Sequence, residues 1–247
     1  MTQAVFTFLD ELGTVKKPLI VGFPDTGLAG AIAVSYLVEQ LKPDEKGYID
    51  SREMPPIVPV RRGTPKELMR IYEAGSFITV VSEVPIPPPL IREFSDSLID
   101  WALQKKVSWV GCFSGVAEPR RLEIDVPKVF MLSSEPKKTE ELSKKLNIEV
   151  FTEGFVTGVH AEILRLGMRR GIEVNLFLAQ SHLNYPDPGA AARLLSLLPN
   201  LVHQQIDIKP LLESEESIRI QLRDLMRRTS ETMVQKSREM ELPPVYR

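Results

Sequence analysis

The chain has 247 residues, 43% hydrophobic and 26% charged, which suits one large domain with a sizeable core. Its 31 basic and 33 acidic residues give a formal net charge of -2, which removes the electrostatic case for a general nucleic-acid binder. One cysteine excludes an internal disulfide scaffold or a multi-cysteine zinc site, three scattered histidines argue against a histidine-built metal site, and no apolar run reaches the ~18 residues of a membrane span.

The opening stretch, MTQAVFTFLDELG, lacks a basic region followed by an apolar signal core, so a soluble, cytoplasmic, reduced protein is expected. Residues 18–22 (PLIVG) read as a short buried strand. A turn follows, Gly22 to Gly30, and then an apolar helix from Leu28 to Leu41, closed by Pro43. Residues 48–50 and 57–60 are short extended stretches, and Met69 to Glu73 alternates in part. Phe77 to Val81 is the clearest β-branched strand. Pro85, Pro87, Pro88 and Pro89 impose an irregular loop, since proline donates nothing to a ladder. A helix then runs to about Lys105 with Leu90, Phe94, Leu98, Trp101 and Ala102 on one face.

Val107 to Cys112 is another buried strand, broken at Gly115, and residues 128–132 are β-like. Helices are predicted over 136–146 and 155–170, the second closed by Gly171. A strand follows over 172–179, then a helix over 187–198 with Asp187 as its cap and Pro188 in its first turn. Strands alternate with helices, so residues 1–208 read as one three-layer α/β/α domain with a mostly parallel sheet. Residues 209–247 differ: charged, without glycine, with Leu211, Ile218, Leu222 and Leu225 at helical spacing. A helix of ~30 residues there spans ~45 Å. Its narrow apolar stripe suits a partner better than a core. Pro243 and Pro244 stop it and stiffen an extended tail.

Candidate chemistry is sparse. Gly22 and Gly27 have the spacing of a phosphate-binding loop, yet Leu28 and Ala29 stand where Lys and Ser/Thr belong, so a tight strand-to-helix turn competes with a ligand loop of Gly22, Asp25, Gly27 and Gly30. Cys112 with His160 or His182 is a conceivable nucleophile and base, though a cysteine ending an apolar strand is ordinarily a small core hydrophobe. Ser114 lies in a Gly-Cys-Phe-Ser-Gly run that is out of register with a nucleophile elbow. Asp25, Glu83 and Ser114 all follow or end strands and could meet at one sheet edge. Capping and loop-fixing are the competing roles for Glu83, and ordinary structural roles compete for His160 and His182. The chain closes on Val245-Tyr246-Arg247, a hydrophobic–Tyr–X end in which tyrosine carries apolar area and a hydrogen-bonding tip.

Pro18-Leu19-Ile20-Val21-Gly22-Phe23-Pro24 with Gly27-Leu28-Ala29-Gly30, the 154–171 segment followed by Val174 to Ala179, and Pro186 to Ala191 together resemble the proteasome assembly chaperone 2 family in its archaeal form. The resemblance covers roughly residues 15–200. It implies a fold similar to purine nucleoside phosphorylases without their activity, and no cofactor. It implies binding to the α-ring of the 20S proteasome core particle, with Val245, Tyr246 and Arg247 entering pockets between α-subunits. It also implies a homo-oligomer, with a tetramer or another small ring expected. The alternative is a hydrolase or phosphorylase acting on a nucleoside-like molecule at the Gly22–Gly30 loop.

Overall fold

Runs of buried apolar residues between glycine and proline breaks become the central strands, as expected where both sheet faces are covered. The computed structural model describes residues 5–213, 217–218 and 225–232. In chain order the elements are β1 (Thr7–Asp10), β2 (Leu19–Val21), α1 (Ala29–Leu41), β3 (Asp44–Asp50), β4 (Val60–Arg61), β5 (Thr64–Pro65), β6 (Met69–Ala74) and β7 (Phe77–Ser82). Then come α2 (Ile91–Gln104), β8 (Val110–Ala117), β9 (Val129–Ser133), α3 (Pro136–Leu146), β10 (Glu149–Val150), α4 (Gly158–Arg170) and β11 (Val174–Ser181). The series closes with α5 (Pro188–Leu195), α6 (Leu198–Val202) and α7 (Lys209–Glu213).

The main sheet has nine strands in the order β1-β3-β6-β7-β2-β8-β11-β9-β10. Its centre, β7-β2-β8-β11, is parallel throughout. Antiparallel pairs extend it through β6, β3 and β1 on one side and through β9 on the other. β4 and β5 form a separate small hairpin. Strand β1 lies in the opening stretch, where no strand was predicted; its exposure alternates and it carries no continuous apolar run.

Alternation along the strands supplies two cores. Leu19, Val21, Cys112 and Leu176 face one way and pack with Phe94, Leu98 and Trp101 of α2 and Ile163 and Leu166 of α4. Ile20, Phe113 and Phe177 face the other way and pack with Leu28, Val34, Leu37 and the α5 residues Ala191 and Leu194. The result is the three-layer arrangement.

Two helices differ from their predicted spans. The helix expected over 187–198 is broken into α5 and α6, because Pro199 has no N–H to offer the carbonyl of Leu195. The helix expected from 155 starts at Gly158, after Gly154 and Gly158 take positive φ. At the chain's far end, Leu211, Met226 and Thr229 are buried, and Ile218 and Leu225 are half-buried against the α1–α5 core. The apolar stripe expected to await a partner is thus occupied in part by the chain's own body. The connection before it is tied down by Tyr36, whose hydroxyl donates to the Asp207 carbonyl at 2.7 Å. Pro243, Pro244, Val245, Tyr246 and Arg247 lie outside the described residues.

Candidate functional site

The turn after β2 is built by glycines in contact with backbone. A Cβ on Gly22 would lie 2.2 Å from the Gly30 carbonyl oxygen, and one on Gly30 would lie 2.0 Å from that of Phe113. Only glycine lets α1 begin this close to β2 and β8. Gly27 (φ 61) and Leu28 (φ 53) take left-handed conformations in succession and swing the chain into α1. The Gly27 backbone is pressed on β11: an added Cβ would lie 1.8 Å from Ser181 Oγ. An added Cβ on Gly115 would lie 2.2 Å from the Thr26 carbonyl oxygen. The space that a phosphate cradle would leave open is filled by the chain itself, and the loop's one charged group, Asp25, is an anion.

Three of the predicted candidates meet here. Asp25 follows β2, Ser114 sits on β8, and His160 comes from the first turn of α4. Ser114 Oγ donates to Asp25 Oδ2, and His160 Nδ1 lies 3.0 Å from the same oxygen. The Phe23 N–H donates to His160 Nε2 at 3.4 Å, so the ring's proton belongs on Nδ1, facing Asp25. Asp25 Oδ1 is out of contact with solvent and has no hydrogen-bond partner. A serine nucleophile relay needs the serine oxygen against the free ring nitrogen of histidine. Here the serine and the imidazole converge on one carboxylate oxygen, and Nε2 is committed to a backbone amide.

The other candidates are held elsewhere. Cys112 pairs in register with Val21 and with Leu176, deep in the sheet. Burial, with the nearby Asp25 charge adding, pushes its thiol well above the ordinary range, so it stays protonated. Glu83 does not join Asp25 and Ser114. It pairs with Arg70 and, at 2.6 Å, with Arg61, which locks the β4–β5 hairpin to the end of β7. Arg70 in turn lies 5.9 Å from the Tyr72 ring centroid. His182 follows β11 and sets its ring edge-on to Tyr185 at 6.2 Å.

A second buried cluster lies beside the loop. Asp187 is fully buried, accepts from Arg121 Nε at 2.8 Å and Nη2 at 3.0 Å, and caps α5 by accepting the Ala190 N–H at 2.9 Å. It also accepts the His182 N–H at 3.1 Å, while its own N–H donates to the Gly27 carbonyl at 2.8 Å. The cap was legible from Asp187-Pro188. Arg121 was not, because nothing local links it to a residue 66 positions away.

The family model described as "PAC2 family" matches residues 19–226. An uncharacterized Methanocaldococcus jannaschii protein, MJ0106, is 27% identical over 236 residues, covering 94% of this chain and 93% of its own. The crystal structure of Pyrococcus furiosus PbaA, described as an archaeal homolog of proteasome-assembly chaperone, is similar with a TM-score of 0.86 and 24% identity, over 92% of this chain and 99% of that one. P. furiosus PbaB, described as an archaeal proteasome activator, is similar with a TM-score of 0.75 and 20% identity, over 90% and 99% of the two chains. At these identities the two structures establish the shared fold.

Proposed function

This chain belongs to the PAC2 family, and we propose that it is a non-enzymatic partner of the 20S proteasome core particle, an assembly chaperone or activator that docks on the α-ring. The observation that carries this reading is the near whole-length likeness to both PbaA, an assembly-chaperone homolog, and PbaB, a proteasome activator. The side-chain geometry supports action by binding. The Ser114 and His160 groups share one Asp25 oxygen instead of forming a nucleophile–base pair, and the Cys112 thiol is kept protonated. Among the described residues no group of three or more His, Cys, Asp or Glu side chains could hold a metal ion.

The docking element in this proposal is Val245-Tyr246-Arg247, stiffened by Pro243 and Pro244. Val245 and Tyr246 bury apolar area in a pocket between α-subunits, and the terminal carboxylate meets a cationic group there. One short tail makes few contacts. Several tails carried by a homo-oligomer, a tetramer in this proposal, raise avidity by orders of magnitude if their spacing fits the ring. The site of action is the cytoplasm; no helix among the described residues is long and apolar enough to cross a membrane.

Two assays on the full chain test the function. An activator raises peptide hydrolysis by latent 20S particles, and an assembly chaperone raises the yield of α-rings from isolated α-subunits. The proposal expects one of these effects. No effect of the intact chain in either assay contradicts it.

A further inference from the structure

We propose that the carboxyl ends of β2 and β8 carry a binding site for a cationic N–H donor, an ammonium or guanidinium head group, at the part-exposed carboxylate of Asp25. The place follows from the topology. From β2 the chain passes to β7 on one side, and from β7 it crosses to β8 on the other, with α1 and α2 on opposite faces. Open α/β sheets bind ligands at such a reversal, outside the carboxyl ends of the strands. Asp25, Ser114 and His160 converge at that point from three separate elements.

The ligand class follows from charge. Four carboxylates more shielded than Asp25 each face a resident cation: Asp10 faces Lys105, Glu83 faces Arg70, Glu162 faces Arg165 and Asp187 faces Arg121. Asp25, with 21% of its side chain exposed, faces a hydroxyl and an imidazole whose second nitrogen accepts a backbone N–H. One carboxylate oxygen takes both donors, and the other is left with none. A buried acceptor without a donor is costly, and a carboxylate without a cation more so. An anionic ligand is disfavoured twice: by the carboxylate itself, and because backbone carbonyls of Phe113 and Thr26, not N–H groups, abut Gly30 and Gly115. Exposed aromatics stand on two nearby loops, Tyr185 on the one pressed against Gly27 and Phe155 on the one leading into α4. The same chemistry arrives either on a free small amine or on a Lys or Arg side chain of a partner. This site is independent of the C-terminal tail and goes beyond the proteasome reading.

The test is an NMR titration of the isotope-labelled full chain with agmatine, with an acetyl-Gly-Lys-Gly amide peptide, and with inorganic phosphate and inosine. The proposal expects at least one cationic probe to shift the amides of residues 23–28 and 114–115, phosphate and inosine to leave them unmoved, and Asp25→Asn to weaken the cation at least tenfold. A response to agmatine alone identifies a free amine as the source, and one to the peptide identifies a partner side chain. The idea is overturned if neither cation moves those amides, if shifts spread over all surface carboxylates, if phosphate or inosine gives the larger response, or if a folded Asp25→Asn variant binds equally well. Should that variant fail to fold, the map on the unaltered chain decides alone. Because the proteasome is absent from this titration, its failure leaves the function proposed above untouched.

Discussion

Single atoms decide what the Gly22–Gly30 loop can do. The two-glycine spacing was visible in the sequence, but a phosphate loop and a close-packed turn share it, and only the third-dimensional neighbours separate them. Gly30 answers to the Phe113 carbonyl, a residue on another strand. Gly30→Ala is therefore expected to destabilise by about 3 kcal/mol or more, since backbone on both sides resists the new methyl. Gly171→Ala, at φ 70 with open space around it, is expected to cost only about 1 kcal/mol. Denaturant midpoints of the two variants check the contrast. Cys112 is expected to resist alkylation in the native protein and to react fully once unfolded, which mass spectrometry reads directly. Burial chiefly raises the Tyr72 phenol from 10.0 to about 12. The unfolded chain loses that proton first, so this part of the stability is intact below pH 10 and falls as pH rises toward 12. Tyr72→Phe should flatten stability across that window, as measured by urea unfolding at a series of pH values.

Elements show where local pattern suffices and where it fails. The apolar runs at 19–21, 77–81, 110–113 and 174–179 were legible because parallel central strands are covered on both faces. The amphipathic face Phe94, Leu98, Trp101 and Ala102 was legible for the same reason: its period matches one buried helix side. The antiparallel flanks were legible in part: 48–50, 69–73 and 128–132 read as extended or β-like and lie in β3, β6 and β9, whereas half-exposed β1 was missed and strand direction is set by the neighbouring strand. Asp25 and Ser114 were named as possible neighbours, but their convergence with His160 spans 135 residues, and the sequence put Glu83 there instead. The Asp187–Arg121 pair joins the loop after β8 to the start of α5. Asp187→Ala removes the cap and leaves a buried guanidinium unpaired, at an expected cost of about 3–5 kcal/mol. Asp187→Asn keeps an acceptor for the Ala190 N–H and should recover part of that loss in thermal unfolding.

The whole molecule is a two-sided core with a charged extension, and the extension is partly claimed by the body. Met226 is 3% exposed on the α1–α5 side, so Met226→Ala should cost about 2–4 kcal/mol at every protein concentration. A loss that vanished on dilution would place that contact between subunits instead. The most direct test is to mix the intact chain and Tyr246→Ala with 20S particles and isolated α-subunits, then follow them by native gel and negative-stain microscopy. The account predicts that the intact chain co-migrates with the α-ring and that the variant, still folded, does not. Equal binding by both would move the contact to the globular body, and no binding by the intact chain would contradict the proteasome reading itself.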